Sequence, residues 1–143
     1  MAEFTYNPVQ EIAAGANAIL NTTIGCTKGY VLHRNESGIV TLRGRVNNPC
    51  APFARYQVTF NGNIAVPTGG TAGEISVAIA IDGEAIQTSR ARVTPTVADA
   101  YFNVTSTAII DVPAGCCVLC SLENTSDVAI NLQNANMVVT RIA

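Results

Sequence analysis

Three cysteines crowd one short run, Cys116-Cys117-Val118-Leu119-Cys120, and two more stand at Cys26 and Cys50. Thiolates that close can hold zinc only with a fourth ligand, which would have to come from Cys26, Cys50 or the sole histidine, His33. No second C-x-x-C pair exists. On a strand, Cys116 and Cys120 point one way and Cys117 the other. The odd count argues against a complete intrachain disulfide set. The opening Met1-Ala2-Glu3-Phe4-Thr5-Tyr6-Asn7-Pro8 has no basic start followed by an apolar core. The expectation is therefore reduced, mostly buried structural thiols, with a disulfide as the other reading.

The remaining chemistry is thin. A Cys–His or Ser–His–Asp site would have to use His33, whose neighbours Tyr30-Val31-Leu32-His33-Arg34 read as an ordinary strand. No G-x-S-x-G or H-x-x-x-H motif occurs. The ten acidic residues are scattered, and nothing selects a pair for glycoside chemistry. Asp82 is explained by a turn, and no EF-hand-like calcium loop is present. Gly69-Gly70-Thr71-Ala72-Gly73 lacks the lysine of a phosphate loop and reads as a surface loop. These residues predict neither an enzyme nor a bound metal or cofactor.

What must position such residues is a sheet. The chain has 143 residues, which suits one domain. Ala54, Tyr56, Val58 and Phe60 share one parity, while Arg55, Gln57, Thr59 and Asn61 share the other. That is the alternation of a half-buried strand. Ile75, Val77, Ile79 and Ile81 repeat it, opposite the small side chains of Ser76, Ala78 and Ala80. This second strand is read either as a subunit contact through Ser76, Ala78 and Ala80 or as a strand buried inside one sandwich. Asp82-Gly83 then predicts a tight hairpin, because both turn positions need positive φ. Further strands are predicted near 30–34, 38–46, 91–93, 101–111, 117–122, 128–132 and 137–142. Asn47-Asn48-Pro49, Pro67-Thr68-Gly69-Gly70 and Val112-Pro113-Ala114-Gly115 mark turns. Val9, Ile12, Ala13, Ala16, Ile19 and Leu20 also fit helical spacing, but Gly15, Asn17 and Asn21 favour two short strands instead. The sum is an all-β jelly-roll sandwich of about 8–10 antiparallel strands. Residues 1–8 form an N-terminal arm and 9–143 the single domain.

Charge bears on partners. Apolar residues make up 48% of the chain and charged residues only 13%, about half the usual charged share. So little charge leaves surface for other subunits to cover. The net charge of −2 and the lack of any basic run remove the electrostatic footprint of nucleic-acid binding. No apolar run reaches membrane-spanning length. Arg43, Arg45, Arg55, Arg90 and Arg92 sit at alternate strand positions, either lining a polar channel, pairing with acids between subunits or simply solvated.

Several runs carry a resemblance. These are Tyr56-Gln57-Val58-Thr59-Phe60-Asn61-Gly62-Asn63-Ile64, Gly73–Glu84, Phe102-Asn103-Val104, and the closing strand–"VPAG"–strand–"ENTS"–"TRI" phrase from Ile109 to Ile142. They resemble trimeric jelly rolls of the TNF/C1q type, and more narrowly small proteins of phages and prophages of gut Firmicutes. The resemblance runs from about Gln10 to Ala143. It implies a homotrimer that decorates a phage capsid or forms a head fibre, made in the host cytoplasm and carried on the virion, with a major capsid or other virion protein as partner. No Gly-X-Y stalk is present, which favours docking on a capsid through the arm by Phe4 and Tyr6; the other reading of the arm is an edge strand that pairs with the sheet. The expected subunit contacts are Ser76, Ala78, Ala80 and Tyr101. The alternative is a carbohydrate- or receptor-binding head of a tail fibre, with Tyr30, Tyr56, Tyr101, Phe53 and Phe102 as the available stacking rings.

Overall fold

The protein is described by a computed structural model, which covers residues 1–24, 30–33, 37–44, 50, 52–115 and 117–143. Its elements in chain order are β1 (Ala2–Tyr6), β2 (Gln10–Ile12), β3 (Thr22–Ile24), β4 (Val31–His33), β5 (Val40–Leu42), β6 (Phe53–Ala65), β7 (Ile75–Ile81), β8 (Glu84–Ala85), β9 (Ala91–Val93), β10 (Phe102–Pro113), β11 (Val118–Asn124) and β12 (Ile130–Arg141). One 3₁₀ turn, Gln87–Ser89, interrupts the hairpin return between β8 and β9. Among the described residues no helix is long and apolar enough to cross a membrane.

Two antiparallel six-stranded sheets form the sandwich. The first runs β10-β6-β12-β1-β3, with β2 also on β12; the second runs β4-β5-β11-β7-β8, with β9 also on β7. Period-two alternation makes the core: Tyr56, Val58, Phe60 and Ile64 of β6, Met137 and Val139 of β12, and Ile75, Val77 and Ile79 of β7 face inward and are fully or almost fully buried. The jelly-roll expectation holds. Among the described residues the strands number twelve rather than 8–10, because short pieces such as β2, β8 and β9 are separate elements.

Local chemistry explains the corners. Asp82 and Gly83 both take positive φ, 51° and 85°, as the hairpin reading requires. Pro113 ends β10, and Gly115 at φ 100° turns the chain after it. The segment that also fitted a helix is β2 followed by a turn at Gly15, after which Asn17 and Leu20 make only isolated bridges. The two expected strands over 128–132 and 137–142 are one strand, β12, with a register shift between Gln133 and Asn136. That bulge changes the parity, so Leu132 and Met137 can both face the core. The turn at Asn47-Asn48-Pro49 lies outside the described residues.

The N-terminal arm is corrected. Residues 2–6 are β1, hydrogen-bonded between β12 and β3, with Ala2 paired to Val139 and Tyr6 to Ala135. Ala2 and Phe4 alternate with Glu3 and Thr5, and both apolar side chains are buried. Both termini therefore lie at one end of the sandwich, where the Arg55 amide also donates to the Ala143 carbonyl.

Candidate functional site

A polar groove opens on the outer face of the second sheet. Strands β7 and β11 lie side by side with Ala78 opposite Glu123 and Ala80 opposite Ser121, while Ala80 is opposite Ala85 of β8. The 3₁₀ turn then lifts the chain off the sheet. Ser89 replaces the missing ladder partner, its hydroxyl accepting from the Ile79 amide at 3.0 Å and donating to the Ile86 carbonyl at 2.7 Å. The next residue, Arg90, folds back over β7. Its Nε donates to Ser76 Oγ at 3.2 Å and its Nη2 to the Thr125 carbonyl at 3.0 Å. The space left between this arch and the β11–β12 turn is about 370 Å³, bordered by Glu84, Gln87, Arg90, Glu123, Thr125 and Ser126, with Gly15 and Gly83 at its rim. Among the described residues neither Glu84 nor Glu123 makes an ion pair.

The β11–β12 turn under the groove is knotted by the "ENTS" run. Asn124 is completely buried. Its amide donates to the carbonyls of Ile12 at 3.0 Å and Val128 at 2.9 Å, and its Oδ1 accepts from the Ser126 amide at 2.9 Å. Ser126 Oγ accepts from the Ser76 amide at 2.8 Å, and Thr125 Oγ1 lies 2.7 Å from Ser76 Oγ.

This geometry bears on three of the four expected subunit contacts. Ser76, Ala78 and Ala80 are at most 2% exposed in the single chain, with Arg90 drawn across Ser76. They have no free surface to lose to a second copy, and the buried-strand reading of β7 is the right one. Tyr101 is exposed at the start of β10. Phe4 is no capsid anchor: it has no exposed surface and its ring lies 4.8 Å from that of His33. Tyr6 is half-buried against the same core.

The remaining residues singled out in the sequence are dispersed. His33 Nε2 lies 3.0 Å from the Ser37 carbonyl and Nδ1 lies 3.3 Å from Thr23 Oγ1, so the ring bridges β4, β3 and the β4–β5 loop. Cys120 is buried, and desolvation pushes its thiol up to about 12. Cys117 is disulfide-bonded, which corrects the expectation of reduced thiols for that residue. Cys26 and Cys116 lie outside the described residues. Among the described residues no three His, Cys, Asp or Glu side chains converge. Arg55 forms a two-pronged pair with Asp111 at 2.6 and 2.9 Å, and Arg92 lies 3.6 Å from Glu74. Arg55, Arg90 and Arg92 thus each have a partner within the one chain; Arg45 lies outside the described residues.

The outer face of the first sheet is the second surface of note. Its central positions are Gln57, Thr59, Asn61 and Asn63 of β6, Thr105, Thr107 and Ile109 of β10, and Asn136, Val138 and Thr140 of β12. None is ionisable. Amide and hydroxyl side chains hydrogen-bond across the strands: Asn103 donates to Asn61 and Asn63, Thr105 to Asn61, and Asn63 to Asn134. Among the described residues charge appears at the margins, as Glu3, Glu11 and the Arg55–Asp111 pair. Ile109 projects from this face, 54% exposed.

The sequence matches no protein-family model and no curated protein. The fold has solved counterparts. It is similar to the globular domain of zebrafish complement 1qA protein, with a TM-score of 0.53 over 96% of this chain and 94% of that one, at 6% identity. Weaker likenesses are to a CBM35 from Cellvibrio japonicus Abf62 (TM-score 0.36, 14% identity, 100% and 99% covered) and to the CBM22-1 xylan-binding domain of Paenibacillus barcinonensis Xyn10C (0.37, 10%, 99% and 87%). At 6% identity the complement likeness speaks for the fold alone, a jelly-roll sandwich of the TNF/C1q-like type.

Proposed function

We propose that this chain is a non-catalytic binding and display module that assembles as a homotrimer on a phage particle, as a capsid decoration or head-fibre protein. One observation carries the assembly: the middle of a sheet face built by three long strands holds no ionisable side chain. A solvated face of that width normally bears charge, and a long edge strand normally bears lysine or proline along its length. Here β10 runs twelve residues along the edge with Asp111 as its one charge and Pro113 only at its end. Amides and hydroxyls already hydrogen-bonded to one another can enter an interface without leaving partners unsatisfied. The TNF/C1q-like fold supports the stoichiometry, since the resemblance of sequence implies a trimer; the virion assignment rests on that resemblance.

Light scattering on the purified chain at micromolar concentration tests the assembly, with three protomers expected and a monomer overturning it. Mass spectrometry of purified particles from a host carrying the gene tests the location. The chain is expected among the virion proteins at many copies, and its absence from intact particles sinks the decoration reading. The alternative, a carbohydrate-binding head of a tail fibre, is favoured by the polar groove on the opposite sheet.

A further inference from the structure

We infer that the groove between the Arg90 arch and the β11–β12 turn is a binding site for a neutral sugar, held by its hydroxyl groups. The inference deepens the carbohydrate-binding alternative above and is independent of how many copies assemble. Its volume of about 370 Å³ falls at the small end of the range for ligand sites, roughly 300–1,000 Å³. Its border carries acceptors and donors in mixture. Glu84 and Glu123 are carboxylates without an ion pair among the described residues, and a carboxylate can accept both hydroxyls of a vicinal diol. Gln87 and the remaining N–H groups of Arg90 supply donors, while the Thr125 and Ser126 hydroxyls at the border are turned to Ser76 and hold the wall in place.

The wall is built rather than accidental. Arg90 is fixed by its bonds to Ser76 Oγ and the Thr125 carbonyl, so a ligand meets an ordered guanidinium. Gly15 and Gly83 hold positive φ at the rim, and a side chain at either would meet nothing within 4 Å. The rim is therefore open at both glycines. Two carboxylates against one guanidinium give the groove a net negative charge, which selects against anionic sugars.

The test is a proton–nitrogen NMR titration of the full chain with methyl β-D-galactopyranoside, methyl α-D-glucopyranoside and methyl α-D-mannopyranoside, with sialyllactose as the anionic comparison. At least one neutral glycoside should shift the amides of Gly83, Glu84, Gln87, Arg90 and Thr125 and leave Thr59 and Thr107 of the first sheet still. Glu84→Gln combined with Glu123→Gln should weaken that binding by about tenfold or more, since each replaces a charged acceptor by a neutral one. Ala85→Trp, which fills the groove from β8, should abolish it. No response to any of the three glycosides, shifts centred elsewhere, a stronger response to sialyllactose, or full affinity in both variants each overturns the site. Light scattering on the same samples separates the readings: a monomer that binds sugar removes the trimer and leaves the groove, while a silent trimer does the reverse.

Discussion

Asn124 shows how much one side chain can hold. It lies between two sheets' worth of backbone, tying the end of β2 to the β11–β12 turn with every polar atom used. Replacing it with alanine leaves the Ile12 and Val128 carbonyls and the Ser126 amide without partners in a dry site. Each such orphan costs about 1–3 kcal/mol. Asn124→Ala should therefore lower stability by about 3 kcal/mol and the melting temperature by roughly 10 °C, read by circular dichroism. A melting point within error of the parent contradicts the clamp. Cys120 makes a second prediction at this scale. Burial keeps its proton bound up to about 12, against 9.0 for an exposed thiol. The unfolded chain loses that proton first, so the contribution is whole below about pH 9 and declines as pH rises towards 12. Burial raises the Tyr56 phenol as well, and its loss runs in the same alkaline direction. Urea unfolding at neutral pH and at about pH 10.5 should show the decline, and Cys120→Val should flatten it. Equal alkaline slopes in parent and variant would refute the assignment to this thiol.

At the scale of elements, β1 separates what was legible from what was not. Strands β6 and β7 and the Asp82-Gly83 hairpin could be read from the chain, because alternation and turn chemistry are local signals. Strand β1 could not, since five residues before Asn7-Pro8 gain their meaning only from β12, some 130 residues away. The break at Gln133–Asn136 hid the unity of β12 for the same reason: a bulge interrupts the period that identifies a strand. The groove was less legible still. The small faces of Ser76, Ala78 and Ala80 were seen, but Glu84, Arg90 and Glu123 come from three elements and meet only through register. The placement of β1 predicts that removing residues 1–6 unfolds the domain, whereas an arm could be cut away harmlessly. Phe4→Ala alone should cost about 3–5 kcal/mol, the range for emptying a fully buried aromatic position. Chemical denaturation of the truncated and substituted chains decides it, and a truncated chain with parental stability would return residues 1–6 to the role of an arm.

For the whole molecule, the two outer faces have opposite characters, and that opposition bears on the proposed assembly. The uncharged face of the first sheet suits contact with identical copies, while the groove lies across the sandwich on the second sheet. A trimer joined through the first sheet would turn three grooves outward. An interface of amides, hydroxyls and Ile109 owes little to Coulomb attraction, so it should survive about 1 M salt, where charges are screened within about 3 Å. Ile109→Lys places a long cation on that face, where the nearby carboxylate of Asp111 is already held by Arg55, so copies brought together there repel. The variant should scatter as a monomer while keeping the parent's circular dichroism spectrum. Its affinity for a soluble monosaccharide should be unchanged, because the groove is not touched. Its retention on a surface densely coated with the same sugar should fall by about 10²–10⁴, the usual gain from linking several weak sites. A variant that stays trimeric places the contact elsewhere. A monomer that holds the coated surface as tightly as its parent shows that outward grooves do not act together.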